Sequence, residues 1–121
     1  MATMNKTPGD VFKYLEAETG YSVDAAVLTP ITAAMQAGTV LGRVTASGKY
    51  AIHDPAATDG TEVAAAVLYR FAGISVADQP VVVVRRHAIA VASELAWIAG
   101  ATVPQKAAAL AALELRGIVA R

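Results

Sequence analysis

The sequence predicts an α+β fold: a small β-rich domain of β-hairpins or a partial barrel, with one C-terminal helix and an extended N-terminal arm. Three observations carry this. Short β-prone runs alternate with turn residues between residues 38 and 91. One capped helical stretch follows at residues 101–117. The first 37 residues hold nothing long or periodic enough to fold alone. The expected division is therefore residues 1–37 as an arm and 38–121 as a compact α+β domain.

Taken in order, residues 1–9 read as a flexible end, with Thr7-Pro8-Gly9 as punctuation. Residues 10–18 suit a helix through Val11, Leu15 and Glu18, and suit a strand equally through Phe12 and Tyr14. Gly20-Tyr21-Ser22 breaks that stretch, and residues 23–29 read as a second extended piece stopped by Pro30. Residues 38–53 read as a hairpin with its turn at Thr45-Ala46-Ser47-Gly48, where Gly48 supplies positive φ. Alternation puts Val40 and Gly42 on one face, Leu41 and Arg43 on the other. Residues 53–62 form a loop with turn signals at Asp54-Pro55 and Asp59-Gly60. Residues 63–69 and 81–84 are strands, the second a β-branched run suited to burial on both faces. Residues 89–91 continue that strand or pair with it.

The helix has the clearest local grammar. Thr102 and Gln105 form a capping box, and Pro104 sits in the first turn, where its missing N–H costs nothing. Good helix formers follow, Arg116 lies near the end, and Gly117 stops the run. The small face Ala107, Ala108, Ala111 and Ala112 is expected against the domain's own sheet. Residues 118–120 return as a last strand.

Composition excludes several function classes. The 121 residues make one domain that can bury a core without staples. With no cysteine, disulfides, Cys-based zinc and thiol nucleophiles are out. Ten basic residues balance ten acidic ones, and Arg85-Arg86 is the longest basic run, so a nucleic-acid partner is not expected. Residues 1–10 lack an apolar signal segment, and no run is long enough to span a membrane. The chain is 55% hydrophobic and only 17% charged. That balance fits a surface partly hidden against partners, or simply an alanine-rich source.

No motif offers chemistry. His53 and His87 have no His or Cys at ligand spacing. Asp54, Asp59 and Glu62 share a loop, but Pro55-Ala56-Ala57 interrupts the oxygen ligands a calcium loop needs; an Asx-type turn with Gly60 left-handed is the simpler reading. Ser22, Ser47, Ser75 and Ser93 lack nucleophile-elbow glycines. No catalytic residue, metal site, cofactor or small-molecule substrate is expected. Phe12, Tyr14 and Tyr21 either anchor the arm on a partner or fold back onto the domain. Trp97 is either a core anchor or a subunit contact.

An ordered set of segments resembles the bacteriophage head decoration protein family, which includes the decoration protein of phage lambda. The segments are Gly9-Asp10-Val11-Phe12-Lys13-Tyr14, Gly20-Tyr21-Ser22, residues 37–50, residues 54–65, Val81-Val82-Val83-Val84-Arg85, and residues 107–119. The chain departs from the family pattern at Val23-Asp24, at residues 30–34, and at Arg86-His87. The resemblance implies a non-enzymatic subunit, made in the host cytoplasm, that sits on the outer surface of the expanded head. It also implies homotrimers at local three-fold positions, which grip the major capsid protein through the arm and stabilise the shell against DNA pressure. Val11, Phe12, Tyr14, Leu15, Tyr21, Val23, Val27 and Leu28 are the expected capsid-binding residues, and Trp97, Arg85 and Arg86 the expected oligomer contacts. The competing readings are an oligomerising protein of a phage tail or baseplate, and an enzyme subunit with a histidine site between chains.

Overall fold

The computed structural model describes residues 7–15 and 22–121. The chain opens with a single helical turn, α1 (Pro8–Val11), which runs into strand β1 (Phe12–Leu15). Residues 10–15 thus satisfy both readings of the sequence in succession. Proline in the first turn and the Thr7–Asp10 capping box favour one turn of helix, and the β-prone Phe12 to Leu15 run then extends.

Five strands close into a barrel: β2 (Val23–Leu28), β3 (Val40–Arg43), β4 (Tyr50–Ile52), β5 (Ala64–Leu68) and β6 (Gln79–Val84). Their order around the wall is β2-β4-β3-β5-β6. The expected hairpin is β3–β4, in register Leu41↔Ile52, with Gly48 at φ 74° in its turn. β2 lies on the arm side of the expected division at residue 37, yet it pairs with β6 along its whole length, from Val23↔Val84 to Leu28↔Gln79.

Two cores flank the wall. The barrel interior takes Leu28, Leu41, Tyr50, Leu68 and Val83, one from each strand. The second core takes Val11, Phe12, Val40, Val67, Val84, Leu113 and Ile118. Adjacent residues on β3 (Val40, Leu41) and β6 (Val83, Val84) face opposite cores, as strand alternation requires. All of β5 is buried, so its alanines fit a wall with no solvent side. The two-sided burial expected for the valine run holds at Val83 and Val84, while Val81 and Val82 are half-buried.

A second sheet and a helix cover the outer core. Strand β7 (Ala88–Ala90) pairs antiparallel with β1 and parallel with β8 (Ile118–Ala120), in the order β1-β7-β8. β7 therefore neither continues β6 nor pairs with it. His87, at φ 50°, turns the chain out of the barrel between them. Helix α2 (Val103–Glu114) has the expected cap: Gln105 N–H donates to Thr102 Oγ1 at 3.3 Å, and Thr102 N–H donates to Gln105 Oε1 at 2.9 Å. It buries Ala109 and Leu113, while Ala107, Ala108 and Ala111 point to solvent. Of the expected small face only Ala112 packs on the core and the other three alanines turn outward, because the longer Leu113 side chain claims the position above the sheet.

Candidate functional site

The ends of β2 and β6 come together in a polar seam. Antiparallel pairing of Val23 with Val84 places Asp24 beside the residues that follow β6. Arg86 Nη2 donates to Asp24 Oδ2 at 2.7 Å, and Arg85 Nη1 donates to the same oxygen at 3.2 Å. Beside them, buried Ser22 donates its hydroxyl to the His87 carbonyl at 2.8 Å, and Arg85 N–H donates to the Ser22 carbonyl. The Arg86 hydrogen bond, opposed by partial burial and helped by both guanidinium charges, holds the Asp24 carboxyl below the usual aspartate range. The arrangement is a clasp that ties the two strand ends together. Two of the chain's departures from the family pattern, at 23–24 and at 86–87, are therefore one feature in space. Its signal in the sequence was opposite charge at two strand ends, Asp24 and Arg85-Arg86, readable only with the pairing in hand.

The expected site residues fall into three groups. Val11, Phe12 and Leu28 are buried in this chain's own cores, and the Phe12 ring stacks on Tyr69 with centroids 6.2 Å apart. Val23 is half-buried, and Val27 looks outward from β2 with 41% of its surface exposed. Tyr14 and Leu15 belong to β1, and Tyr21 lies outside the described residues. Arg85 and Arg86 both pair with Asp24. Trp97 is half-buried; it packs on the outer core and lines a groove with residues 30–36.

The loop of residues 53–62 is a folding device. Asp59 accepts from the Thr61 hydroxyl at 2.6 Å and from its N–H at 3.1 Å, which holds this carboxyl also below its usual value. Gly60 takes φ 110°, the left-handed turn expected of it. Buried His53 contacts the Glu62 carbonyl through Nε2 at 3.2 Å and meets Trp97 edge-on. Among the described residues no group of three or more His, Cys, Asp or Glu is placed to hold a metal. Among them, too, no helix is long and apolar enough to cross a membrane.

A barrel buried on both faces along β5, a charged clasp between strand ends and an uncharged groove make a scaffold for contacts. Comparison with known families decides which kind. The model of the family described as bacteriophage lambda head decoration protein D matches residues 1–118. The chain belongs to this family. It is a structural protein of a phage head, decorating the capsid of the virion. No curated protein matches the chain. For a head decoration protein, the five-stranded barrel with its second sheet and C-terminal helix supplies the body of the subunit.

Proposed function

We propose that this head decoration protein binds the outer surface of the expanded shell as a homotrimer at local three-fold positions and stabilises the shell against the pressure of packaged DNA. The family match over residues 1–118 carries this reading. The physical logic is linkage. A subunit that binds only the expanded lattice lowers that state's free energy by mass action, so the shell resists rupture. Three weak grips on one rigid trimer act at high effective concentration.

The capsid-binding part is residues 1–37, and residues 38–121 form the decoration body. Within the first part, Val27 offers an apolar side chain on a strand the barrel holds rigid, and Tyr14, Leu15 and Tyr21 extend the same segment. The partners are the major capsid protein and further copies of this chain. Nucleic acid, membrane and small-molecule substrate have no part, and neither does catalysis.

The test is cosedimentation of purified protein with expanded and unexpanded shells of its own phage, followed by imaging of the decorated particles. Binding confined to expanded shells, with three-fold density outside them, is the expected result. Equal binding to both shell forms, or density on the tail, would overturn the reading.

A further inference from the structure

Asp59 is the one Asp or Asn of this chain that is followed by glycine. That pair is open to a backbone rearrangement, because glycine has no Cβ to crowd its nitrogen. The Gly60 nitrogen attacks Asp59 Cγ, and the carboxyl hydroxyl leaves with the amide hydrogen as water. A five-membered imide results. Water then opens the ring, and opening at the former backbone carbonyl leaves the chain running through Cγ. The main chain gains one carbon, the carboxyl moves onto Cα, and the mass is unchanged.

The loop has no room for that carbon. Thr45 N–H donates to the Asp59 carbonyl at 2.9 Å, and Asp54 N–H donates to the Thr61 carbonyl at 3.0 Å. Thr61 backbone lies so near β3 that a Cβ on Gly42 would stand 2.5 Å from its Cα. A lengthened chain here would press on β3, whose Val40 and Leu41 belong to the two cores.

Both reacting groups are held. Gly60 N–H donates to Glu62 Oε1 at 2.8 Å, which fixes the plane of the peptide whose nitrogen must turn toward Cγ. Asp59 Oδ1 accepts from the Thr61 hydroxyl at 2.6 Å and from its N–H at 3.1 Å. Turning Cγ toward the nitrogen would give up both bonds. The attack also needs the neutral carboxyl, since a hydroxyl is what leaves. The Thr61 bonds, the hydroxyl's first, hold the carboxyl below its usual range and so deplete that form.

We propose that Asp59–Gly60 is the chain's site of isoaspartate formation, and that Glu62 and Thr61 are guard residues that keep it closed in the folded protein. Glu62 is exposed and makes no ion pair among the described residues; its carboxylate is directed at this one amide. Such a guard suits a subunit that is built into a particle once and never replaced.

The experiment ages the full chain at neutral pH and physiological temperature for several weeks, as wild type, Glu62→Ala, Glu62→Gln and Thr61→Val. Wild type in guanidinium chloride serves as the unfolded reference. Isoaspartate is measured by peptide mapping with electron-transfer fragmentation. Folded wild type should convert at residue 59 at least roughly tenfold more slowly than the unfolded chain. Glu62→Ala and Thr61→Val should each convert about threefold faster than folded wild type, or more, because each loses a charge-assisted hydrogen bond. Glu62→Gln keeps an oxygen acceptor and should stay at the wild-type rate. Asp24 and Asp78 are internal controls and should not change. Thr61 is buried, so if circular dichroism shows Thr61→Val unfolded, the two Glu62 variants decide. Folded wild type converting as fast as the unfolded chain would overturn the inference, and so would Glu62→Ala at the wild-type rate. A slower Glu62→Ala would make Glu62 a base that assists the attack, which also overturns it. A rise at Asp24 and Asp78 together with residue 59 would report general loosening and overturn the guard role.

Discussion

His87 and Gly117 form a pair whose energetics follow from backbone geometry. His87 holds φ 50° without being glycine, at the point where the chain leaves the barrel for the second sheet. A left-handed conformation costs an L-residue roughly 1–2 kcal/mol, and glycine's extra unfolded freedom returns about half of that. His87→Gly should therefore raise stability by about 0.5–1 kcal/mol, read as a higher thermal midpoint. Its own carbonyl still accepts from Ser22 in that variant. Gly117 needs its positive φ of 81°, and a Cβ there would lie 2.8 Å from His87 Cδ2. Gly117→Ala should cost about 1–3 kcal/mol in the wild type and less in the His87→Gly background, where the ring is gone. Equal costs in both backgrounds would mean that the ring contact contributes nothing. Asp24 sets the acid limb of stability. Its folded pKa lies below its unfolded one, chiefly through the Arg86 hydrogen bond. The folded state thus binds fewer protons. The stabilisation is complete above about pH 4 and is lost as pH falls through the depressed folded value. Asp24→Asn should lower stability at pH 7 by about 1 kcal/mol or less, since the group is partly solvated, and should flatten the loss below pH 4. An unchanged acid limb in urea titrations would remove Asp24 from that role.

At the scale of elements, β3 shows how a close backbone approach is written into sequence. Gly42 lies mid-strand, and a Cβ built on it would meet Thr61 Cα at 2.5 Å and Thr61 O at 2.7 Å. The obstacle is backbone, so it cannot rotate away. Gly42→Ala should cost about 1–3 kcal/mol by chemical denaturation, whereas Gly73→Ala, whose Cβ would meet only the Phe71 ring edge at 3.9 Å, should change stability by under about 0.5 kcal/mol. The elements most legible in the sequence were those specified by their own residues. The Thr102–Gln105 cap and Gly117 bound α2, and the turn at residues 45–48 fixes the β3–β4 hairpin. What stayed illegible depends on partners distant in the chain. Ala88-Ile89-Ala90 contains nothing to say that it joins β1 and β8 rather than β6. The outward turn of Ala107, Ala108 and Ala111 is decided by where Leu113 packs. The Asp24 clasp required the β2–β6 register, and the groove required residues 30–36 to meet Ile52 and Trp97 across the fold.

For the molecule as a whole, the fold decides which truncation can test capsid gripping. Deleting residues 1–30 would remove β1 and β2, taking Val11 and Phe12 from the outer core and Leu28 from the barrel interior. A barrel without β2 has open edges at β4 and β6, so loss of shell binding by that deletion would report unfolding. The informative deletion removes residues 1–6, keeps the Thr7 cap of α1, and leaves every buried side chain named above in place. Paired with it, Val27→Asp puts a charge on the outward face of β2, where no core residue is disturbed. Both proteins should melt within a few degrees of wild type. If residues 1–37 grip the capsid, each should dissociate from expanded shells faster than wild type, and if the protein binds as the proposed trimer the loss in avidity should exceed tenfold. A shell affinity equal to wild type in both variants would move the grip to the body of the protein, residues 38–121.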